Sequence, residues 1–211
     1  MSSGKRGKYL GFVAHEIKNP LATALWSCDL LKRMEGADRT GERAEKMIDV
    51  SLRALRRMRR LIDDYFTIER LGEAGYDLPR EEVTLKDLIA PLLPIMAEKD
   101  GIPTDAWTLE LGEDRIKGDV DMLRRGIRAA LEYMARGASG KSRLAISARP
   151  GPVVLIRAET PPNPLLPPPP EDRQSGDPTG AILGFALASR ILEAHGGRIE
   201  ERDGALALSF G

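Results

Sequence analysis

The chain carries one cysteine and two histidines in 211 residues, and each scarcity removes a class of proteins. A single thiol, Cys28, cannot build an intrachain disulfide framework and fits a reducing compartment. It falls on an apolar helical stripe, so a buried structural thiol is expected. Two histidines, His15 and His195, exclude a histidine-rich metal site. No run approaches the roughly 20 apolar residues that span a bilayer, and no signal-peptide segment follows Met1. Basic and acidic residues balance at 32 each, so the net charge names no partner. These absences predict a cytoplasmic protein without a membrane segment. The 42% hydrophobic content is enough for real cores.

In the first third, apolar residues fall at Leu10, Val13, Ile17, Leu21, Ala24, Cys28 and Leu31, alternating by threes and fours. Pro20 sits inside this pattern and is expected to bend the helix just after His15. A turn near Gly36 follows, with Thr40 or Asp38 available as an N-cap. A second pattern runs through Ile48, Leu52, Leu55, Met58, Ile62, Tyr65, Ile68 and Leu71. Two helices of about 30 residues, each roughly 40 Å long, make a poor core alone. A second copy would complete a four-helix bundle, which predicts a homodimer.

Periodicity stops at the linker Gly72–Pro79, and the rest reads as a separate domain. Helices are expected over Leu85–Glu98, where Pro91 and Pro94 intervene, over Asp121–Arg136 and over Gly180–Ala194. Strands are expected at Trp107–Leu111, as a hairpin of Arg143–Ala148 with Val153–Ala158, and as a closing hairpin of Arg198–Arg202 with Ala205–Phe210. Between them, Thr160–Pro178 is a proline-dense loop. The fold class is therefore α+β: a long helical hairpin over 1–73 forming a dimeric bundle, then a two-layer α/β sandwich over 80–211.

The most informative stretch is Phe12-Val13-Ala14-His15-Glu16-Ile17-Lys18-Asn19-Pro20-Leu21. It sets a nucleophilic imidazole beside a carboxylate, with an amide side chain one helical turn further on. This stretch resembles the phosphoacceptor box of sensor histidine kinases. Arg190-Ile191-Leu192-Glu193-Ala194-His195-Gly196-Gly197-Arg198-Ile199 resembles that family's final helix and the turn into its last strands, with His195 expected as a structural turn residue.

The family's nucleotide site rests on three further motifs, and the chain departs from each. Ala129 and Tyr133 stand where the resemblance implies asparagines that contact phosphate and magnesium. Alanine has no ligand oxygen, and tyrosine is a poor magnesium ligand at neutral pH. Glu159-Thr160-Pro161-Pro162-Asn163-Pro164 stands where an Asp-x-Gly-x-Gly loop would hold adenine. Ile182 interrupts a glycine loop that keeps Gly180 and Gly184. The departures imply that this chain binds no nucleotide cofactor. In this the chain is similar to dimeric histidine phosphotransferases, the ChpT-like group and the sporulation phosphorelay phosphotransferase, which relay phosphoryl groups between response-regulator receiver domains.

That resemblance implies His15 as phosphoacceptor, Glu16 as acceptor of its Nδ1 proton, and Asn19 as the residue orienting a water on a receiver's aspartyl phosphate. Lys18 is placed to neutralise phosphoryl oxygens. Arg53, Arg56, Arg57, Arg59 and Arg60 make the second helix basic, with Arg56 and Arg60 expected to meet an acidic receiver face. No metal cluster is visible, so magnesium is expected to come with the receiver. Nucleic acid is not expected as a partner, since no binding motif accompanies the arginines. A divergent active kinase, a receiver phosphatase and a receiver-docking scaffold are the alternatives.

Overall fold

The computed structural model describes residues 9–73, 77–100, 107–135, 143–167 and 181–211. They fall into two compact units, residues 9–69 and the described residues from Arg70 onward. Arg136, Gly180 and the proline run beyond Pro167 lie outside the described residues. Among the described residues no helix is long and apolar enough to cross a membrane.

The first unit is a helical hairpin of α1 (Leu10–Arg33) and α2 (Glu42–Leu71). On α1 the residues Val13, Glu16, Pro20, Ala24 and Ser27 are buried, at spacings of three and four. On α2 they meet a line through Ala44, Ser51, Ala54, Met58, Leu61 and Ile68. Pro20 is carried inside α1 and leaves the carbonyl of Glu16 without its usual helical donor. A short 3-10 turn, Gly36–Arg39, joins the helices, and Gly36 takes a left-handed φ of 55° that a side chain would resist. Neither Thr40 nor Asp38 caps α2. The helix starts later than expected, with the Gly41 carbonyl accepting from the amides of Ala44 and Glu45.

Of the apolar pattern, this pairing fully buries only Val13, Ala24, Met58 and Ile68. Leu10, Leu21 and Leu25 on α1, and Ile48, Leu52, Leu55, Ile62 and Phe66 on α2, remain exposed. Each helix presents two apolar stripes, and a single neighbour can cover one. Cys28 belongs to the uncovered side. It is exposed, with Sγ 3.7 Å from Ser51 Oγ, so the expectation of a buried thiol is corrected for the single chain.

The second unit is an α/β sandwich. A five-stranded sheet runs in the order β2 (Trp107–Glu110), β4 (Leu144–Arg149), β5 (Val153–Ala158), β7 (Ala205–Ser209), β6 (Arg198–Arg202). β2 and β4 are parallel; the other pairs are antiparallel. Two helices, α5 (Val120–Ala135) and α6 (Ala181–Ala194), pack on one another and on this sheet. Their buried faces, with Leu123, Ile127 and Leu131 meeting Leu183, Leu187 and Ile191, form the core.

The expected helix over Leu85–Glu98 is divided into α3 (Leu85–Ile89) and α4 (Leu92–Asp100). Pro91 has no amide hydrogen to continue the ladder, whereas Pro94 sits in the first turn of α4, where no donor is needed. Thr84 caps α3 by accepting from the Asp87 amide at 3.0 Å. A two-stranded antiparallel sheet, β1 (Glu81–Thr84) with β3 (Arg115–Gly118), is not foreseen by the pattern. Its strands are four residues long and mostly polar, with Ile116 the buried apolar contact.

The end of α6 explains His195-Gly196-Gly197. Gly197 donates to the Leu192 carbonyl and Gly196 to that of Glu193, while Gly196 adopts φ 78°. His195 is buried; its Nε2 accepts the Asp119 amide at 3.1 Å. An amide can only donate, so the ring proton resides on Nδ1, which donates to the Ile191 carbonyl at 2.6 Å. His195 thus ties the end of α6 to the start of α5.

Candidate phosphoacceptor and nucleotide-pocket sites

In the helical unit, α1 presents His15 and Asn19 to solvent, with Lys18 exposed between them. A helix turns about 100° per residue, so residues four apart lie within about 40° of one another. His15 and Asn19 therefore share a face, as the sequence spacing requires. The Thr23 hydroxyl donates to the Asn19 carbonyl at 3.1 Å.

Glu16 is placed differently. It is 1% exposed inside the hairpin, and its Oε2 lies 3.6 Å from Arg57 Nη2 on α2. Among the described residues, its Oε1 has no hydrogen-bond partner. Consecutive helical residues diverge by about 100°, which sends Glu16 inward while His15 faces out. The geometry joins Glu16 to Arg57, and does not join it to the imidazole. Arg56 and Arg60 are exposed on α2, with Arg53 and Arg59 also exposed.

The second unit holds the other cluster. Tyr133 of α5 is buried, and its hydroxyl donates to the Pro164 carbonyl at 3.0 Å. Its ring meets Phe185 of α6 at a centroid distance of 4.9 Å and an interplanar angle of 58°. Ala129 lies one turn before Tyr133, and a Cβ built on Gly184 would stand 3.7 Å from the Ala129 Cβ. Leu165, next to the bonded Pro164, is also buried. Tyr133 thus joins Pro164 and Phe185, next in sequence to the Gly184 that approaches Ala129. Sequence reasoning missed Phe185 and the Pro164 carbonyl. The signal was a large aromatic directly after Gly184, in a chain where aromatics are 5% of residues.

Among the described residues no group of three or more His, Cys, Asp or Glu side chains is placed to hold a metal ion. Arg128 and Glu132, flanking Ala129 and Tyr133, are committed to each other at 2.7 Å.

Residues 5–74, which contain α1 and α2, match the His Kinase A (phospho-acceptor) domain. The chain has a histidine kinase-like core. Over 94% of its length this core is 25% identical to the sensor protein VanS of Enterococcus faecium, and spans 54% of that protein. It is 27% identical over 90% of its length to the nitrogen regulation protein NtrY of Azorhizobium caulinodans, spanning 26% of it. The chain therefore covers about half and about a quarter of these two relatives. The Acinetobacter baumannii histidine kinase AdeS has the same fold, with a TM-score of 0.67 at 16% identity, covering 93% of this chain and 97% of that one. The histidine kinase-like core thus places His15 within the matched phosphoacceptor domain and Tyr133 within the α/β sandwich.

Proposed function

We propose that this chain is a histidine kinase-family transferase of two-component signalling, which carries phosphoryl groups on His15 and exchanges them with response-regulator receivers. The observation that carries this reading is His15, exposed on α1 inside the residues that match the phosphoacceptor domain. The uncovered apolar stripe on both helices supports a working unit of two copies, since pairing removes that stripe from water.

The source of the phosphoryl group is the finer question, and the Tyr133–Pro164 bond favours a receiver over ATP. A magnesium–nucleotide needs ligand oxygens and an open slot at this place. Ala129 brings no oxygen, and the Tyr133 hydroxyl is a neutral phenol engaged with the chain's own carbonyl. Phe185 occupies adjoining volume. In this reading Nε2 of neutral His15 attacks the phosphorus of a receiver's aspartyl phosphate. The P–N bond forms as the bond to the carboxylate oxygen breaks, and the carboxylate leaves with the electron pair. The same steps in reverse load the next receiver. Magnesium and the acceptor aspartate come with the receiver. Lys18, one turn from His15, offsets charge on the phosphoryl oxygens, and Asn19 orients a water when the phosphoryl is hydrolysed instead.

A second reading is a divergent autokinase. It is supported by the likeness to the sensor protein VanS, the nitrogen regulation protein NtrY and the histidine kinase AdeS. Magnesium and γ-labelled ATP, followed as acid-labile, base-stable label on wild type and His15→Ala, separates the two. Receiver-supplied phosphate predicts no label from ATP but label on wild type from a phosphorylated receiver. Label from ATP on wild type alone establishes the autokinase and removes the Tyr133 argument.

A further inference from the structure

In the sheet of the second unit, one row of paired residues runs through Thr108, Ala145 and Arg157 across β2, β4 and β5. Residues paired across strands share a face, and this row faces away from the buried Leu144, Ile146 and Ile156. The Glu159 amide donates to the Arg143 carbonyl at 2.9 Å, which extends the β4–β5 register by one pair. Arg143 and Glu159 therefore stand on the same face as Arg157. Thr108, Arg143, Ala145 and Glu159 are exposed, and Arg157 is half-buried. Together they line an open depression of about 300 Å³, in which Tyr133, Pro164 and Phe185 take no part.

Ala145 is the floor. Its methyl is the shortest side chain of the row, and neighbouring strands stand about 4.8 Å apart, so a trough about 10 Å wide separates Thr108 from Arg157. Arg143 and Arg157 are diagonal neighbours on adjacent strands, with Cβ atoms roughly 7 Å apart. At that spacing two guanidinium groups can close on a single carboxylate. Arg157 spends one of its five N–H donors on the Asp203 carbonyl, at 3.5 Å. Glu159 sets a negative charge beside these two cations. A phosphate dianion in the depression meets that charge, and a simple amine meets the two arginines.

We infer that this depression binds a small zwitterion of the α-amino acid class, with its carboxylate on Arg143 and Arg157 and its ammonium on Glu159. The guanidinium fork matches a carboxylate in two parallel hydrogen bonds, which favours it over a point-charge contact. A ligand that carries both charges on adjoining atoms satisfies both arginines and the acid; an anion or a cation alone leaves one of them opposed. The ligand's side chain lies over Ala145, with the Thr108 hydroxyl on the far wall to donate or accept. A depression of this volume, with a few convergent polar groups, is at the small end of ligand sites.

The test is titration calorimetry of the full chain with the free amino acids, each compared with its matching amine and its matching carboxylic acid. At least one amino acid is expected to bind, and removing either of its charged groups is expected to weaken binding about tenfold or more. Arg157→Gln is expected to weaken it by the same factor. Glu159→Gln is expected to bring the amino acid and its carboxylic acid analogue to equal affinity. Ala145→Phe keeps every charge and fills the trough from an exposed strand position that phenylalanine suits, and it is expected to abolish binding. Where Arg157→Gln lowers the melting temperature, Ala145→Phe decides. A chain that binds no amino acid overturns the site. Binding that survives Ala145→Phe overturns it as well, by assigning the ligand to another place. Inorganic phosphate bound more tightly than any amino acid, and lost with Arg157→Gln, overturns the zwitterion in favour of a simple anion. Displacement of the amino acid by ATP overturns it by making the depression part of a nucleotide site.

Discussion

Arg57 of α2 crosses the hairpin to within 3.6 Å of the buried Glu16 carboxylate, the neighbour of His15. The residue that follows His15 in the chain is thereby tied to the opposite helix. Glu16 lies on the buried face of α1 with Val13, Pro20, Ala24 and Ser27, while His15 is exposed.

Arg57→Ala leaves the Glu16 charge buried without its cation. Removing one partner of a buried pair costs about 3–5 kcal/mol. Arg57 is 28% exposed, so solvent screening reduces the expected loss to about 1–3 kcal/mol. Adding Glu16→Gln to Arg57→Ala is expected to recover most of it, in urea unfolding at fixed protein concentration. A double variant no more stable than Arg57→Ala shows that the pair is not coupled.

Tyr133→Phe removes one hydroxyl and retains the ring against Phe185. Leaving the Pro164 carbonyl without its donor is expected to cost about 1 kcal/mol. Tyr133→Ala also empties the aromatic contact and is expected to cost about 3–5 kcal/mol. Equal melting temperatures for wild type and Tyr133→Phe mean that the hydrogen bond contributes nothing.

Gly118→Ala tests the lock formed by His195. A Cβ at this position would stand 2.6 Å from His195 Cδ2 and 2.7 Å from Leu123 Cδ1, both in packed surroundings. Overpacking of this kind costs about 1–3 kcal/mol. Thermal unfolding is the check, and Gly151→Ala is unsuitable as a control because φ there is 90°. Gly11→Ala, where nothing lies within 4 Å, is the proper control and is expected to be neutral or stabilising.

His15→Gln changes an exposed side chain and is expected to shift stability by no more than about 0.5 kcal/mol. Phosphoramidate labelling is expected to vanish in the same variant. Label that persists in a folded His15→Gln chain places the phosphoacceptor elsewhere.

Much of the fold is legible in the chain. The three-and-four spacing from Leu10 to Leu31 and from Ile48 to Leu71 gives the two long helices, and the hairpin pattern of Arg143–Ala148 and Val153–Ala158 around Pro150-Gly151 gives the central strands to within a residue or two. The β1–β3 pair is not legible, because Glu81, Glu82, Arg115 and Lys117 bury too little to leave a pattern. The parallel pairing of β2 with β4 is equally hidden, since a strand's alternation says nothing of its neighbour's direction.

The sequence by itself determined the His15–Leu21 stretch that resembles a phosphoacceptor box, the amphipathic period of both long helices and the order of the longer strands and helices, because each depends on residues close together in the chain. Tertiary structure alone decided where Glu16 went, which apolar stripe stayed open, and that Tyr133 meets Pro164 and Phe185. Those outcomes depend on which surfaces compete for burial. A helix of fixed period offers several faces, and only packing against a distant segment selects the one removed from water.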